Sequence, residues 1–292
     1  MKKVLILGGT GYIGSALTSY LQEDIQTVDL EWFGNVNNPA NQKIDYDELP
    51  KKFFSSFDVV ILLAGHSSVA MCEDNRHSSF ENNVAKFVRL LDKLDDQAFI
   101  YASSSGIYGK TGENIVDETF DRYVPTTYYD LQKKEIDLYA SLSSLNYYGL
   151  RFGTVNGYAP NLRTDLMINK MFLDAKEYGK IHVSNPHIHR PLLGIADLCR
   201  VVNSIILDPT HPGIYNLASF NTQIGEIAQR VGTMMDVPVV VDSPQPSYNF
   251  SISTNKFEQQ FDFHFQETPG SIVDGLKKYY TKAHREARVK KL

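Results

Sequence analysis

Seven residues near the N-terminus, Gly8-Gly9-Thr10-Gly11-Tyr12-Ile13-Gly14, constrain this 292-residue chain more than any others. They follow a short apolar run at 4–7, which reads as a buried strand, and they open a segment at 12–21 with helical spacing of its apolar residues. Glycines at such a turn let the chain bend tightly and let its backbone approach a pyrophosphate closely. The helix N-terminus behind them offers free N–H groups and the positive end of its dipole to an anion. The glycine spacing alone is a weak signal, but its place between strand and helix makes it a dinucleotide-binding signature. Gly8, Thr10, Gly11, Tyr12, Ile13 and Gly14 are therefore the expected phosphate contacts. A second strand is predicted at 26–30 and ends at Asp29, at the distance where an acid meets the adenosine ribose. Its carboxylate accepts from both ribose hydroxyls and repels a 2′-phosphate. Glu31 follows, and no arginine or lysine is expected nearby to receive an extra phosphate, so the expected cofactor is NAD.

The rest of the first half continues the alternation. Strands are predicted at 58–64, 98–102 and 147–155, and helices at 80–94 and 127–145. In the first of those helices Phe80, Val84, Phe87 and Leu91 share a face. Strand–helix alternation of this kind implies a parallel sheet covered on both faces. The fold class is thus α/β, a Rossmann-type doubly wound parallel sheet. The second half is less regular. Helices are predicted at 165–178, 197–207 and 223–235, and short strands at 181–183, 191–195, 238–242 and 248–253. No Gly/Ser linker separates the halves. The expected organisation is an NAD-binding domain at 1–155 and, at 156–292, a smaller α/β substrate-binding lobe on the sheet's C-terminal side, interleaved with returning sheet elements.

Composition excludes several other classes. Hydrophobic residues make up 42% of the chain, enough for a sizeable core. A net charge of −5 argues against nucleic-acid binding. The basic run at 284–292 reads as a solvated tail. The apolar stretch after Met1, Lys2 and Lys3 stops at Gly8, too short for a signal peptide, and nothing approaches the roughly 20 apolar residues of a membrane span. The only cysteines are Cys72 and Cys199, which fits a reducing, cytoplasmic setting. His182, His187 and His189 crowd one segment, but no cysteine or carboxylate completes a metal set there, and no metal is expected.

Tyr129 and Lys133 are four apart on the helix after Pro125, which places them on one face. A tyrosine with a pKa of about 10 is a poor base at neutral pH. A nearby ammonium and a positive nicotinamide favour the phenolate, which then takes a proton from a sugar hydroxyl as hydride leaves carbon. The segment Tyr101-Ala102-Ser103-Ser104-Ser105-Gly106-Ile107-Tyr108-Gly109 carries three hydroxyls to the C-terminal end of a strand, where ligand sites in open parallel sheets lie.

These motifs occur in order with Leu62-Leu63-Ala64-Gly65, Asn83-Val84, 125–133, 150–157 and 190–197. Together they resemble the extended short-chain dehydrogenase/reductases, the family of UDP-galactose 4-epimerase, over nearly the whole chain. The resemblance implies that Ser104 hydrogen-bonds the substrate oxygen, that Tyr129 is the base, and that Lys133 supports it and holds the nicotinamide ribose. It implies that Asp45 touches adenine and that Ala64, Gly65 and Asn83 belong with the cofactor contacts. Departures are informative. Gln132 stands where the family has serine. Ser105-Gly106 stands where sugar 4,6-dehydratases carry Asp-Glu, which argues against water elimination, and no glutamate follows Ser104, which argues against the decarboxylase branch. Thr154 replaces an asparagine that contacts the substrate diphosphate. The segment Ser247-Tyr248-Asn249 lacks the arginine that grips phosphate there. Candidate substrate contacts are His66, Ser105, Thr154, Arg163 with Asp165, Asn169 and Arg190.

The sequence thus points to an NAD-dependent nucleotide-sugar epimerase working through a transient keto intermediate. An NADH-dependent 4-keto-sugar-nucleotide reductase using the same three side chains, and a non-catalytic NAD-binding scaffold, are the alternatives. A homodimer is expected, because Leu131, Leu138, Leu142 and Leu145 form a second apolar stripe beside the one the core needs, and because the resemblance implies a seam on these helices.

Overall fold

The computed structural model describes residues 1–281 other than 37, 113, 123, 124 and 246. The basic run at 284–292 lies outside the described residues. The strands are β1 (Lys3–Leu7), β2 (Asp24–Val28), β3 (Val59–Leu62), β4 (Ala98–Ser104), β5 (Ile115–Val116), β6 (Asn146–Phe152), β7 (Thr154–Asn156), β8 (Ile181–Val183), β9 (His189–Gly194), β10 (Gly213–Leu217), β11 (Phe220–Gln223), β12 (Val239–Val241) and β13 (Ser251–Ile252). The α-helices are α1 (Tyr12–Tyr20), α2 (Lys51–Phe54), α3 (Val69–Asp74), α4 (Arg76–Phe80), α5 (Lys86–Leu91), α6 (Tyr128–Leu142), α7 (Met167–Tyr178), α8 (Ile195–Leu207), α9 (Ile224–Met235), α10 (Asn255–Gln260) and α11 (Pro269–Tyr279).

Six strands form one parallel sheet in the order β2-β1-β3-β4-β6-β10. Beyond β2 a single parallel bridge, Val28 to Gln42, takes the place of a further strand. The order therefore reverses at β1, and the chain ends of β1 and β3 part there to open a crevice at their C-terminal edge. Alternation along β1 feeds two cores. Val4 and Ile6 face Leu17 of α1 and Leu198 of α8, while Leu5 and Leu7 face Phe87 of α5 and Ile136 of α6. Helices on both faces make the sheet a Rossmann-type, doubly wound one.

Strands β11, β9 and β7 form a second sheet, and β8 pairs with β12 and β5 with β13. A separate core joins α7, α9 and α11 through Phe172, Ile227, Val231 and Leu276. No helix among the described residues is long and apolar enough to cross a membrane.

Several expected elements are corrected. The strand predicted at 147–155 is two strands in two sheets. At Gly153 the backbone N–H turns to Leu217 O at 2.8 Å, and an added Cβ would sit 2.7 Å from Pro191 O. The helix predicted at 80–94 begins earlier and is interrupted by a π-helical turn, Glu81–Ala85. That wider turn shifts the helical phase, so Ser79 rather than Phe80 faces inward, and Phe80 is 48% exposed. The segment predicted as a strand at 248–253 is extended pairing only at Ser251–Ile252. Strand β2 ends at Val28, so Asp29 lies just past it.

Candidate active site

The turn after β1 is shaped by steric exclusion. Gly8 has φ +95°, and a Cβ there would collide with the Ala64 backbone. A Cβ on Gly14 would collide with Gly8 O, so glycine lets α1 seat against the turn. Gly11 caps α1 without any side-chain hydrogen bond, which leaves the helix's first N–H groups free of a side-chain partner at the cleft. The turn is then tied to its neighbours. Thr10 N–H donates to Asp29 Oδ2 at 3.1 Å and Glu31 N–H to Asp29 Oδ1 at 2.7 Å. Asn161 Nδ2 donates to Thr10 O at 2.7 Å and to Phe33 O at 3.3 Å.

A cleft of about 850 Å³ runs from this turn to the end of β4. Gly8, Gly11, Tyr12, Ile13, Gly14, Asp29, Asp45, Ala64, Gly65 and His66 line it at the turn's side. Ser104, Ser105, Tyr129, Lys133, Thr154, Arg163, Asp165 and Arg190 line it at the other. Thr10, Asn83 and Asn169 do not reach it. Thr10 is 2% exposed behind the turn. Asn83 is buried behind the β3 loop, where its Oδ1 accepts from His66 N–H at 2.8 Å and its Nδ2 donates to His66 O at 3.1 Å. Asn169, wholly buried, accepts from Gly157 N–H at 2.8 Å and donates to Arg163 O at 2.8 Å. Each of these shapes a loop whose neighbours face the cleft.

Asp45 caps a 3₁₀ turn through Asp47 N–H at 3.0 Å and is paired with Lys86. A lysine does approach the segment after β2: Lys43 is 3.2 Å from Glu31, two residues past Asp29, a contact that sequence distance concealed. Hydrogen bonding from Asn35 holds the Glu31 carboxyl below the usual range, so the Lys43 charge meets an anion. His66 stands edge-on to Trp32 at 5.2 Å, and burial pushes its imidazole below the usual value, with Lys86 adding to the effect. Trp32 is the only tryptophan of the chain and lines the cleft, a residue the sequence reading passed over.

At the far end, Thr127 caps α6 by accepting from Asp130 N–H, and the first turns present Tyr129 and Lys133. Burial raises the Tyr129 phenol to about 12, against the lowering effects of the Arg163 guanidinium and the Ser104 hydroxyl. Burial lowers the Lys133 ammonium to about 8, against the nearby Asp137 charge. Lys133 Nζ donates to Ala102 O at 2.6 Å and lies 5.7 Å from the Tyr129 ring centre. Ser104 ends β4, and its Oγ accepts from Gly106 N–H at 3.0 Å. Gln132 is 2% exposed and points away from the cleft. It accepts from Asn83 Nδ2 at 2.8 Å and donates to Ser79 Oγ at 2.9 Å.

Arg163 is held bidentately by Asp165 at 2.9 Å for both bonds and donates to Ser67 O at 3.1 Å, joining two loops over the cleft. Arg190 lies over the rings of both Tyr248 and Phe250, 5.3 and 5.1 Å from their centres, and donates to Ser247 Oγ at 2.6 Å and to Tyr248 O. A guanidinium from β9 thus stands at the very segment whose sequence lacks an arginine. Outside the cleft, His182 lies 2.9 Å from Asp242. Among the described residues no group of three or more His, Cys, Asp or Glu is placed to hold a metal ion.

A family model described as "NAD dependent epimerase/dehydratase family" matches residues 4–218. Protein CapI of Staphylococcus aureus is 26% identical over 238 residues, 72% of this chain and 71% of the relative. A putative UDP-glucose 4-epimerase of Methanocaldococcus jannaschii is 29% identical over 189 residues, 59% of this chain and 62% of the relative. In fold, the chain is similar to UDP-glucuronic acid 4-epimerase from Bacillus cereus in complex with UDP-glucuronic acid and NAD, with a TM-score of 0.80 and 18% identity over 95% of this chain and 98% of that one.

Proposed function

From the premise that this chain belongs to the NAD dependent epimerase/dehydratase family, we propose that it epimerises a nucleotide-activated sugar through a transient keto sugar. The observation that carries the reading is one cleft with the glycine turn at one end and Ser104, Tyr129 and Lys133 at the other. In this reading residues 1–155 hold the cofactor and residues from 156–292 close over the substrate.

The residues present fit NAD. The glycine turn admits no Cβ at Gly8 or Gly14, α1 opens without a side-chain cap, and two backbone N–H groups orient Asp29, the acid this reading assigns to the ribose. NAD held in the cleft would supply a two-electron hydride store, taking hydride from the carbinol carbon and giving the same hydride back. Tyr129 would take the sugar hydroxyl proton on oxidation and return it to the oxygen when the keto sugar, its other face presented, is reduced. Ser104 holds the reacting oxygen. Lys133 and Arg163 supply the cationic surroundings that the phenol needs, since burial alone keeps it protonated. Arg190, and Arg163 beyond its pair with Asp165, offer guanidinium groups to the diphosphate.

Tyr129→Phe keeps the ring and removes the proton-transfer oxygen. Turnover should fall at least 10²-fold, the lower end of general acid–base effects of about 10² to 10⁴, while NAD affinity by titration stays within about twofold. The assay offers UDP-, GDP-, dTDP- and CDP-linked sugars with and without NADH. Epimerisation without added reductant supports the reading. NADH consumption with a keto sugar favours a reductase instead, and full activity in Tyr129→Phe overturns the mechanism.

A further inference from the structure

Position 106 is glycine, and the space a side chain would take there is filled from another element. A Cβ on Gly106 would collide with Asp130 Oδ1 and would lie 3.1 Å from Ser104 Oγ. Asp130 follows Tyr129 in the first turn of α6, is 5% exposed and lines the cleft. Its Oδ2 accepts the Thr127 hydroxyl at 2.7 Å, and its N–H donates back to Thr127 Oγ1 at 3.1 Å. That reciprocal pair caps the helix with one carboxylate oxygen and leaves Oδ1 turned toward Gly106 and Ser104. Burial pushes the Asp130 carboxyl above the usual carboxylate range, with the Thr127 hydrogen bond opposing. Asp130 shares the cleft lining with Arg190 and with Tyr248, whose ring Arg190 overlies. One of the cleft's guanidinium groups, Arg163, is paired with both oxygens of Asp165.

We propose that Asp130 is a specificity-determining residue: its Oδ1 accepts a hydrogen bond from a hydroxyl of the sugar held at Ser104 and Tyr129, so the site takes a neutral sugar and rejects one that carries a carboxylate. This rests on the nucleotide-sugar reading above. A site built around a hydroxyl partner discriminates strongly, because an analogue that lacks the hydroxyl leaves a buried acceptor unpaired and one that carries a like charge is repelled. Glycine at 106 makes the arrangement possible, since any larger residue would displace the carboxyl.

The test is calorimetric titration of the NAD-loaded protein with UDP-glucose and with UDP-glucuronic acid. Wild type should bind UDP-glucose at least tenfold more tightly. Asp130→Asn, isosteric and uncharged, should cut that ratio at least tenfold, mostly by gaining affinity for the uronic acid. Asp130→Glu, which keeps the charge, should retain the rejection, and both variants should melt within a few degrees of wild type. A ratio unchanged in Asp130→Asn, or a wild-type preference for UDP-glucuronic acid, overturns this proposal alone. A wild type that binds neither compound overturns this proposal, and the function it rests on falls with it only if none of the UDP-, GDP-, dTDP- and CDP-linked sugars binds or reacts.

Discussion

Burial moves Tyr129 and Lys133 in opposite directions, and both moves disfavour charge. At neutral pH only Lys133 of the two costs the protein stability, because the Tyr129 phenol is protonated folded or unfolded. The sign follows from linkage. Folding lowers the Lys133 value to about 8 from an unfolded value near 10.4. The unfolded chain thus holds more protons across that window, and raising the pH through it favours the folded state. The penalty is fully present below about 8 and fades toward 10.4. Lys133→Met removes it. At pH 7 the variant should melt above wild type, and the gap should shrink by pH 10, while cofactor affinity and turnover both fall. A gap that is absent at pH 7, or that widens with pH, would refute the assignment of burial as the dominant influence. The residues of this pair were legible in the sequence because four-residue spacing on a helix is a local pattern. Arg163, the largest lowering influence on the phenol, was singled out there only as a substrate contact, and Asp130 was passed over. Asn161 was invisible for a plain reason: the Thr10 carbonyl it binds lies 151 positions away.

At the scale of elements, local periodicity fixed most strands and helices of the first half to within a few residues, since each buries a simple apolar run. It failed where the backbone changes register or sheet. The π-helical turn Glu81–Ala85 shows why. An extra residue in the turn brings Ser79 and Asn83 inward, and Gln132 of α6 bonds both at 2.9 and 2.8 Å. A glutamine in place of the family's serine is thus long enough to bridge α6 to two other turns. Gln132→Ala should remove one hydrogen bond from each of Asn83 and Ser79, at about 0.5–1.5 kcal/mol apiece, while the Asn83 amide keeps His66 O and the Ser79 hydroxyl keeps Arg76 O. Chemical denaturation measures this, and a loss below about 0.5 kcal/mol would mean that water or rearrangement replaces the glutamine. Because Asn83 also holds both backbone groups of His66, NAD affinity should weaken along with stability. Strands β10 and β11 escaped the sequence reading. β10 carries the buried polar Asn216, which accepts from the Tyr108 hydroxyl at 2.8 Å and breaks the apolar run that periodicity seeks.

At the scale of the whole molecule, one face of α6 stays exposed among the described residues. Leu131 is 41% exposed, Leu138 50% and Leu142 85%, and Tyr128, Tyr139 and Phe80 of α4 are exposed beside them. Leu145, expected in the same stripe, instead packs into the core. A helix must bury one apolar stripe, and α6 already does so through Ile136 and Ala140. A second stripe this large on a monomer's surface is unusual and marks an association site. The occupant proposed is the same face of a second copy, because a two-fold axis sets each patch against an identical apolar one and closes the assembly at two chains. Light scattering at micromolar concentration should therefore give about twice the 33.0 kDa chain mass. Leu138→Asp places a charge in the middle of the patch, where it would face its own symmetry mate. That variant should shift the mass to a monomer while leaving the cleft intact, since Leu138 points away from Tyr129 and Lys133. A wild-type monomer, or a dimer unmoved by Leu138→Asp, would exclude this face as the seam. Should the monomeric variant also lose activity, the dimer would be needed to hold α6, and with it Tyr129, against β4.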